Sequence, residues 1–272
     1  MKTVASFALS LAVVWIALLV FLSLMESRLL YFPVRELDAT PSDFGLPGEE
    51  LHLTASDGVR LHGWWIKSGG RLAVLLFHGN AGNISHRLDR ARLFSERLGV
   101  DLFLVDYRGY GRSEGKPSEA GLYRDGLAIF DAARERGFAP TQIVLMGESL
   151  GCAVALEVAL ARPCAGVVLE TPFLSVPALA RKHYPFVPAL LVRSKFDAGS
   201  RIGRVAVPKL FLVAERDEIA PPSQGRRLFE LASPPRELFL IPGAGHNDTY
   251  AVGGEPYLEV WRRFLDAIDS PA

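Results

Sequence analysis

Six short runs of apolar and β-branched residues, at positions 72–77, 102–105, 143–146, 167–169, 210–213 and 238–241, recur along the chain with longer segments between them. A strand that is apolar on both faces must be covered on both, the condition of strands inside a parallel sheet. The intervening segments read as helices over 85–98, 118–136, 149–162 and 223–231, with a last one over 256–267. Such alternation demands crossover connections and helices on both faces of the sheet. Two further strands, 50–54 and 59–66, flank Asp57-Gly58, a dipeptide that favours a hairpin turn. The expectation is an α/β fold on a mostly parallel eight-stranded sheet. One connection breaks the rhythm. Residues 172–208 join two strands through far more chain than a crossover needs, and read as an insertion that covers one end of the sheet.

Composition matters for what it excludes. Thirty Lys and Arg balance thirty Asp and Glu, so the basic excess of a nucleic-acid binder is missing. Val4 to Met25 holds 22 consecutive uncharged residues, about 33 Å as a helix and long enough to cross a bilayer. The expectation is a single-pass N-terminal membrane anchor over 1–28, with the folded domain over 29–272. A cleaved secretory signal is the competing reading, but the apolar stretch is longer than such signals and no Ala-x-Ala site follows it. Cys152 and Cys164 are too few for a disulfide scaffold, and their separation along one helix predicts no bond between them. No histidine or cysteine stands in a metal-ligand spacing, so neither metal nor other cofactor is called for.

Directly after the 143–146 run stands Gly147-Glu148-Ser149-Leu150-Gly151, followed by the small residues Cys152 to Ala155. Gly-x-Ser-x-Gly at a strand-to-helix turn is the arrangement that exposes a nucleophilic serine. A serine hydroxyl needs a base to take its proton and an acid to orient that base. His246 lies in Gly245-His246-Asn247-Asp248, just past the last strand, and Asp217 follows the strand before it. Ser149, Asp217 and His246 all sit beyond the carboxyl ends of strands, where open α/β sheets place their sites. Glu170 and Glu218 compete for the role of the acid. His78, His86 and His183 are weaker candidates for the base, because none follows the final strand. An oxyanion would need two fixed donors: the backbone N–H of Leu150 and, from the His78-Gly79-Asn80-Ala81-Gly82-Asn83 loop, that of Asn80.

The stretch from Asp106 to Lys116 is glycine-rich but lacks the spacing of a P-loop or of a dinucleotide fingerprint, so Asp106 and Arg108 are expected to brace the loop instead. Taken together, the elbow, the 78–83 loop, the 106–115 stretch and Gly245-His246 resemble the membrane-anchored α/β-hydrolase-domain proteins, a family that overlaps the serine-aminopeptidase-like hydrolases and includes acyl and lipid hydrolases. The resemblance runs from about Leu29 to Ala267. It implies Ser149 as nucleophile, Asp217 as acid, His246 as base and a membrane as partner, without choosing a substrate. The expected reaction is hydrolysis of a carboxylic ester or thioester of a small-molecule or lipid acyl substrate. A serine peptidase and a catalytically idle membrane scaffold are the alternatives. Apolar residues in the insertion, Phe173, Leu174, Phe186 and Leu190 among them, are expected to line an acyl-chain pocket under a lid.

Overall fold

A computed structural model describes residues 2–269; Met1 and residues 270–272, the ends of the two expected segments, lie outside the described residues. Eight strands form one sheet: β1 (Gly48–Thr54), β2 (Arg60–Ile66), β3 (Ala73–Phe77), β4 (Asp101–Val105), β5 (Ile143–Glu148), β6 (Gly166–Glu170), β7 (Lys209–Ala214) and β8 (Arg236–Ile241). Their order across the sheet is β8-β7-β6-β5-β3-β4-β2-β1. The hairpin β1–β2 runs antiparallel and pairs antiparallel to β4; every other pairing is parallel.

The runs that are apolar on both faces become the buried middle of the sheet, and their side chains divide between two cores. In β3, Ala73, Leu75 and Phe77 face one core while Val74 and Leu76 face the other. Helices α3 (Glu119–Glu135), α4 (Gly151–Ala161) and α7 (Pro222–Leu231) cover the first face; α2 (Leu88–Leu98) and α8 (Thr249–Asp269) cover the second. Phe94 of α2 meets Trp261 of α8 edge to face, with ring centroids 4.8 Å apart. The last helix starts earlier than its periodicity predicts, because a turn from Thr249 abuts it through a kink at Gly254 (φ 51°).

Helix α1 (Lys2–Leu30) stands apart from these layers. Its most apolar window, Leu9–Leu30, has a mean hydropathy of 2.3 and none of it is buried. By length and composition it is able to cross a membrane. Its end is tied to the domain: Asn80 Nδ2 donates to the Leu30 carbonyl at 2.9 Å, and Phe32–Pro33 pairs in parallel with Ala81–Gly82. Since Asn80 follows β3, α1 leaves the domain from the end of the sheet where the parallel strands finish.

The 172–208 insertion contains α5 (Val176–His183) and α6 (Ala198–Arg201). Phe173 is buried in the first core, Leu174 is half-buried, and Phe186 and Leu190 are 48% and 80% exposed.

Candidate active site

At the end of β5 the chain turns sharply into α4, and Ser149 occupies the turn with φ at +51°, a left-handed conformation costly for a residue with a Cβ. The flanking glycines make this possible. A Cβ on Gly151 would run into the backbone of Phe77 and His78, and one on Gly147 into the backbone of Cys152. The Ser149 N–H donates to the Glu170 carbonyl at 2.8 Å, which pins the elbow to β6.

His246 Nε2 stands 3.0 Å from Ser149 Oγ, and its Nδ1 is 2.7 Å from Asp217 Oδ2. A carboxylate only accepts, so Nδ1 carries the proton and Nε2 presents its lone pair to the serine. The other Asp217 oxygen accepts from the N–H groups of Ile219 and Ala220 at 2.9 and 2.7 Å, which fixes the carboxylate where the imidazole meets it. Such a chain is able to draw a proton from Ser149 and hold the imidazolium that results.

The other expected site residues divide clearly. The backbone N–H groups of Leu150 and Asn80 have no acceptor among the described residues. Gly79 places the second loop against the elbow: a Cβ there would lie 3.6 Å from that of Ser149. Ser149, Asn80 and His246 line one cavity of about 610 Å³, together with Phe32, Val34 and Ile219. Phe173, Leu174, Phe186 and Leu190 do not line it. Of the rival carboxylates, Glu218 is exposed. Glu170 is committed elsewhere.

Its partners reveal a group that the sequence reading did not find. Arg90 bridges Glu148 and Glu170, with an oxygen of each 2.7 Å from its guanidinium. The Thr249 and Tyr257 hydroxyls donate to the two Glu170 oxygens, both at 2.6 Å. Burial alone would push the Glu148 carboxyl up, but the charges of Arg90 and Arg87 outweigh it and hold that group below the usual range. The one available signal was the spacing of Arg87 and Arg90, three apart on a helical stretch and therefore on one face.

Behind the second loop, His78 is fully buried and donates from Nδ1 to the Gly79 carbonyl at 2.8 Å; burial pushes its pKa down to about 3. It does not line the cavity at the serine. The Asp106 carboxyl accepts from the Ile84 N–H at 3.0 Å and so ties down the segment after the 78–83 loop rather than its own loop, while Arg108 anchors the 106–115 stretch to both Asp57 and Asp125.

A model of the family described as "Serine aminopeptidase, S33" matches residues 70–198. The α/β-hydrolase domain-containing protein WAV2 of Arabidopsis thaliana is 34% identical to the chain, over 89% of this chain and 87% of that one. The chain belongs to the α/β-hydrolase family. A second relative, an uncharacterized membrane protein of Saccharomyces cerevisiae, is 36% identical over 83% of this chain and 82% of its own length. Among solved structures, an esterase from Pyrococcus furiosus superposes with a TM-score of 0.72 at 21% identity, covering 88% of this chain and 98% of that one. That likeness places the fold of this α/β-hydrolase and leaves the chemistry to the site.

Proposed function

We propose that this α/β-hydrolase is a membrane-anchored serine hydrolase that cleaves a carboxylic ester or thioester of a small-molecule or lipid substrate through an acyl-enzyme on Ser149. The observation that carries the reading is the hydrogen-bonded chain from Asp217 through His246 to Ser149, opening on a cavity with two uncommitted backbone N–H groups. In this mechanism His246 Nε2 takes the hydroxyl proton as Ser149 Oγ bonds to the acyl carbon, and Asp217 steadies the imidazolium. The Leu150 and Asn80 N–H groups hold the negative oxygen of the tetrahedral intermediate. Collapse expels the alcohol or thiol, which takes the proton back from His246. A water then enters by the same base and releases the acid.

Residues 1–28 act as the membrane anchor and 29–272 as the hydrolase domain. The exposed apolar window of α1 supports the anchor, as does the yeast relative named as a membrane protein. A fluorophosphonate probe tests the chemistry. The parent protein is expected to become covalently labelled, and Ser149→Ala to lose both labelling and turnover. A parent that resists the probe would favour the idle scaffold. Because the matching family model carries a peptidase description, peptide amides belong in the same panel as esters and thioesters; faster cleavage of amides would replace the esterase reading with a peptidase.

A further inference from the structure

The insertion that fails to line the cavity has a different neighbour. Residues 184–192, Tyr-Pro-Phe-Val-Pro-Ala-Leu-Leu-Val, carry no charge, and no acidic residue occurs from Ser175 to Phe196. Tyr184, Phe186 and Leu190 are exposed. Basic side chains flank the segment: Arg181 and Lys182 on one side, Arg193 and Lys195 on the other. An apolar loop bounded by cations has the composition of a segment that lies in the membrane interface, with its basic residues at the headgroups.

Its position agrees with its composition. The N–H groups of Arg193 and Ser194 donate to the Glu26 carboxylate at 2.8 and 2.7 Å, and the Arg193 guanidinium donates to the Ser23 carbonyl at 2.6 Å. Further along α1, Phe186 meets Trp15 edge to face with ring centroids 6.4 Å apart. From Glu26 to Trp15 is about 16 Å along a helix. The segment is therefore held against the flank of α1 over a stretch that an anchor would bury in lipid. Leu190, 80% exposed beside such a helix, has hydrocarbon as its natural surroundings.

Both elements also connect to residues that line the cavity. The chain leaving α1 contributes Phe32 and Val34 to the lining, and His183, at the end of α5, hydrogen-bonds the carbonyl of Ile219, another lining residue, at 2.7 Å. We propose that the Ser149 face of the domain lies on the bilayer, with residues 184–192 inserted beside α1 as a second membrane contact, so that the cavity receives an amphiphilic acyl substrate from the lipid rather than from bulk water. The proposal rests on the reading of α1 as a membrane anchor.

The test uses the full chain in phosphatidylcholine–phosphatidylglycerol vesicles, with an environment-sensitive thiol label at one introduced cysteine. Cys152 and Cys164 are buried and leave the label to that position. Leu190→Cys reports the inserted segment and Phe21→Cys reports α1. Thr141→Cys, exposed at the opposite end of β5, reports the far side of the domain. Lipids carrying a nitroxide on the acyl chain should quench the labels at 190 and 21 and spare the label at 141. Quenching at 21 but not at 190 would reject the proposal with the anchor intact; no quenching at 21 would remove the anchor and the proposal with it. This readout stands whether or not the protein turns over an ester. A second arm uses Leu190→Asp, which should lower kcat/KM several-fold for an ester carried in vesicles and leave a soluble short-chain ester unchanged. Equal loss on both substrates would assign Leu190 a structural role and overturn the proposal.

Discussion

Glu170 closes β6 and Asp217 lies three residues past β7, both near the serine, and their surroundings separate them. Glu170 spends its oxygens on Arg90, Thr249 and Tyr257, whereas Asp217 keeps Oδ2 for His246. Asp217→Asn should therefore lower kcat by roughly 10³–10⁴-fold, because an amide leaves the imidazole in the wrong tautomer and its cation without a counter-charge. Glu170→Gln should cost far less turnover per folded molecule and show its effect as a lower Tm, since it leaves Arg90 short of a charge partner in a buried cluster. Single-turnover rates and thermal melts of the two variants would tell these apart; the opposite ranking would move the acid to β6. The proximity of Ser149, Asp217 and His246 was legible because each stands three to five residues after an apolar run, and the sheet brings the ends of such runs together. The Arg90 cluster was not. Its members come from α2, β5, β6 and α8, and nothing local to any of them announces the others.

Among the elements, the strands were readable for a reason that the insertion lacked. A run that is buried on both faces declares its environment in its own residues, as β3 and β4 do. Residues 184–192 are equally apolar, yet the same composition suits a lid over a cavity or a segment against an exposed helix. The contact between Phe186 and Trp15 separates these, and it spans 171 positions of sequence. The junction of α1 with the 78–83 loop has a consequence for rate. Asn80 holds α1 through its side chain, while its backbone N–H, without an acceptor among the described residues, is the proposed oxyanion donor. Asn80→Ala keeps that N–H and removes the tether, whereas the bonds from Phe32 N–H and the Tyr110 hydroxyl to the Asn80 carbonyl remain. An oxyanion donor is worth about 10²–10³ in kcat when fully lost. A loosened one should cost a fraction of that, so kcat is expected to fall several-fold with KM nearly constant. A rise in KM at unchanged kcat would show that the tether shapes the cavity and not the donor.

For the whole molecule, the pH dependence of stability turns on a pair of groups buried beneath the same loop. Asp106 and His78 approach to 3.7 Å, both without solvent contact. Burial pushes the Asp106 carboxyl up to about 7 from an ordinary 3.8, and the His78 imidazole down to about 3 from 6.5. A buried acid that holds its proton above its unfolded pKa stabilises the native state less as pH rises, here from about 4 to about 7. A buried histidine that refuses its proton acts in the opposite sense, and stability rises with pH from about 3 to 6.5. Across the shared window the two slopes cancel. Asp106→Asn removes one of them and keeps an acceptor for the Ile84 N–H, so the variant should gain stability relative to the parent by up to about 1.4 kcal/mol per pH unit between pH 4 and 6.5. Thermal or denaturant melts in detergent at pH 4.5, 5.5 and 6.5 would measure this. Parallel curves would mean that Asp106 binds no more protons in the native protein than in the unfolded chain between pH 4 and 6.5, and would overturn the raised carboxyl.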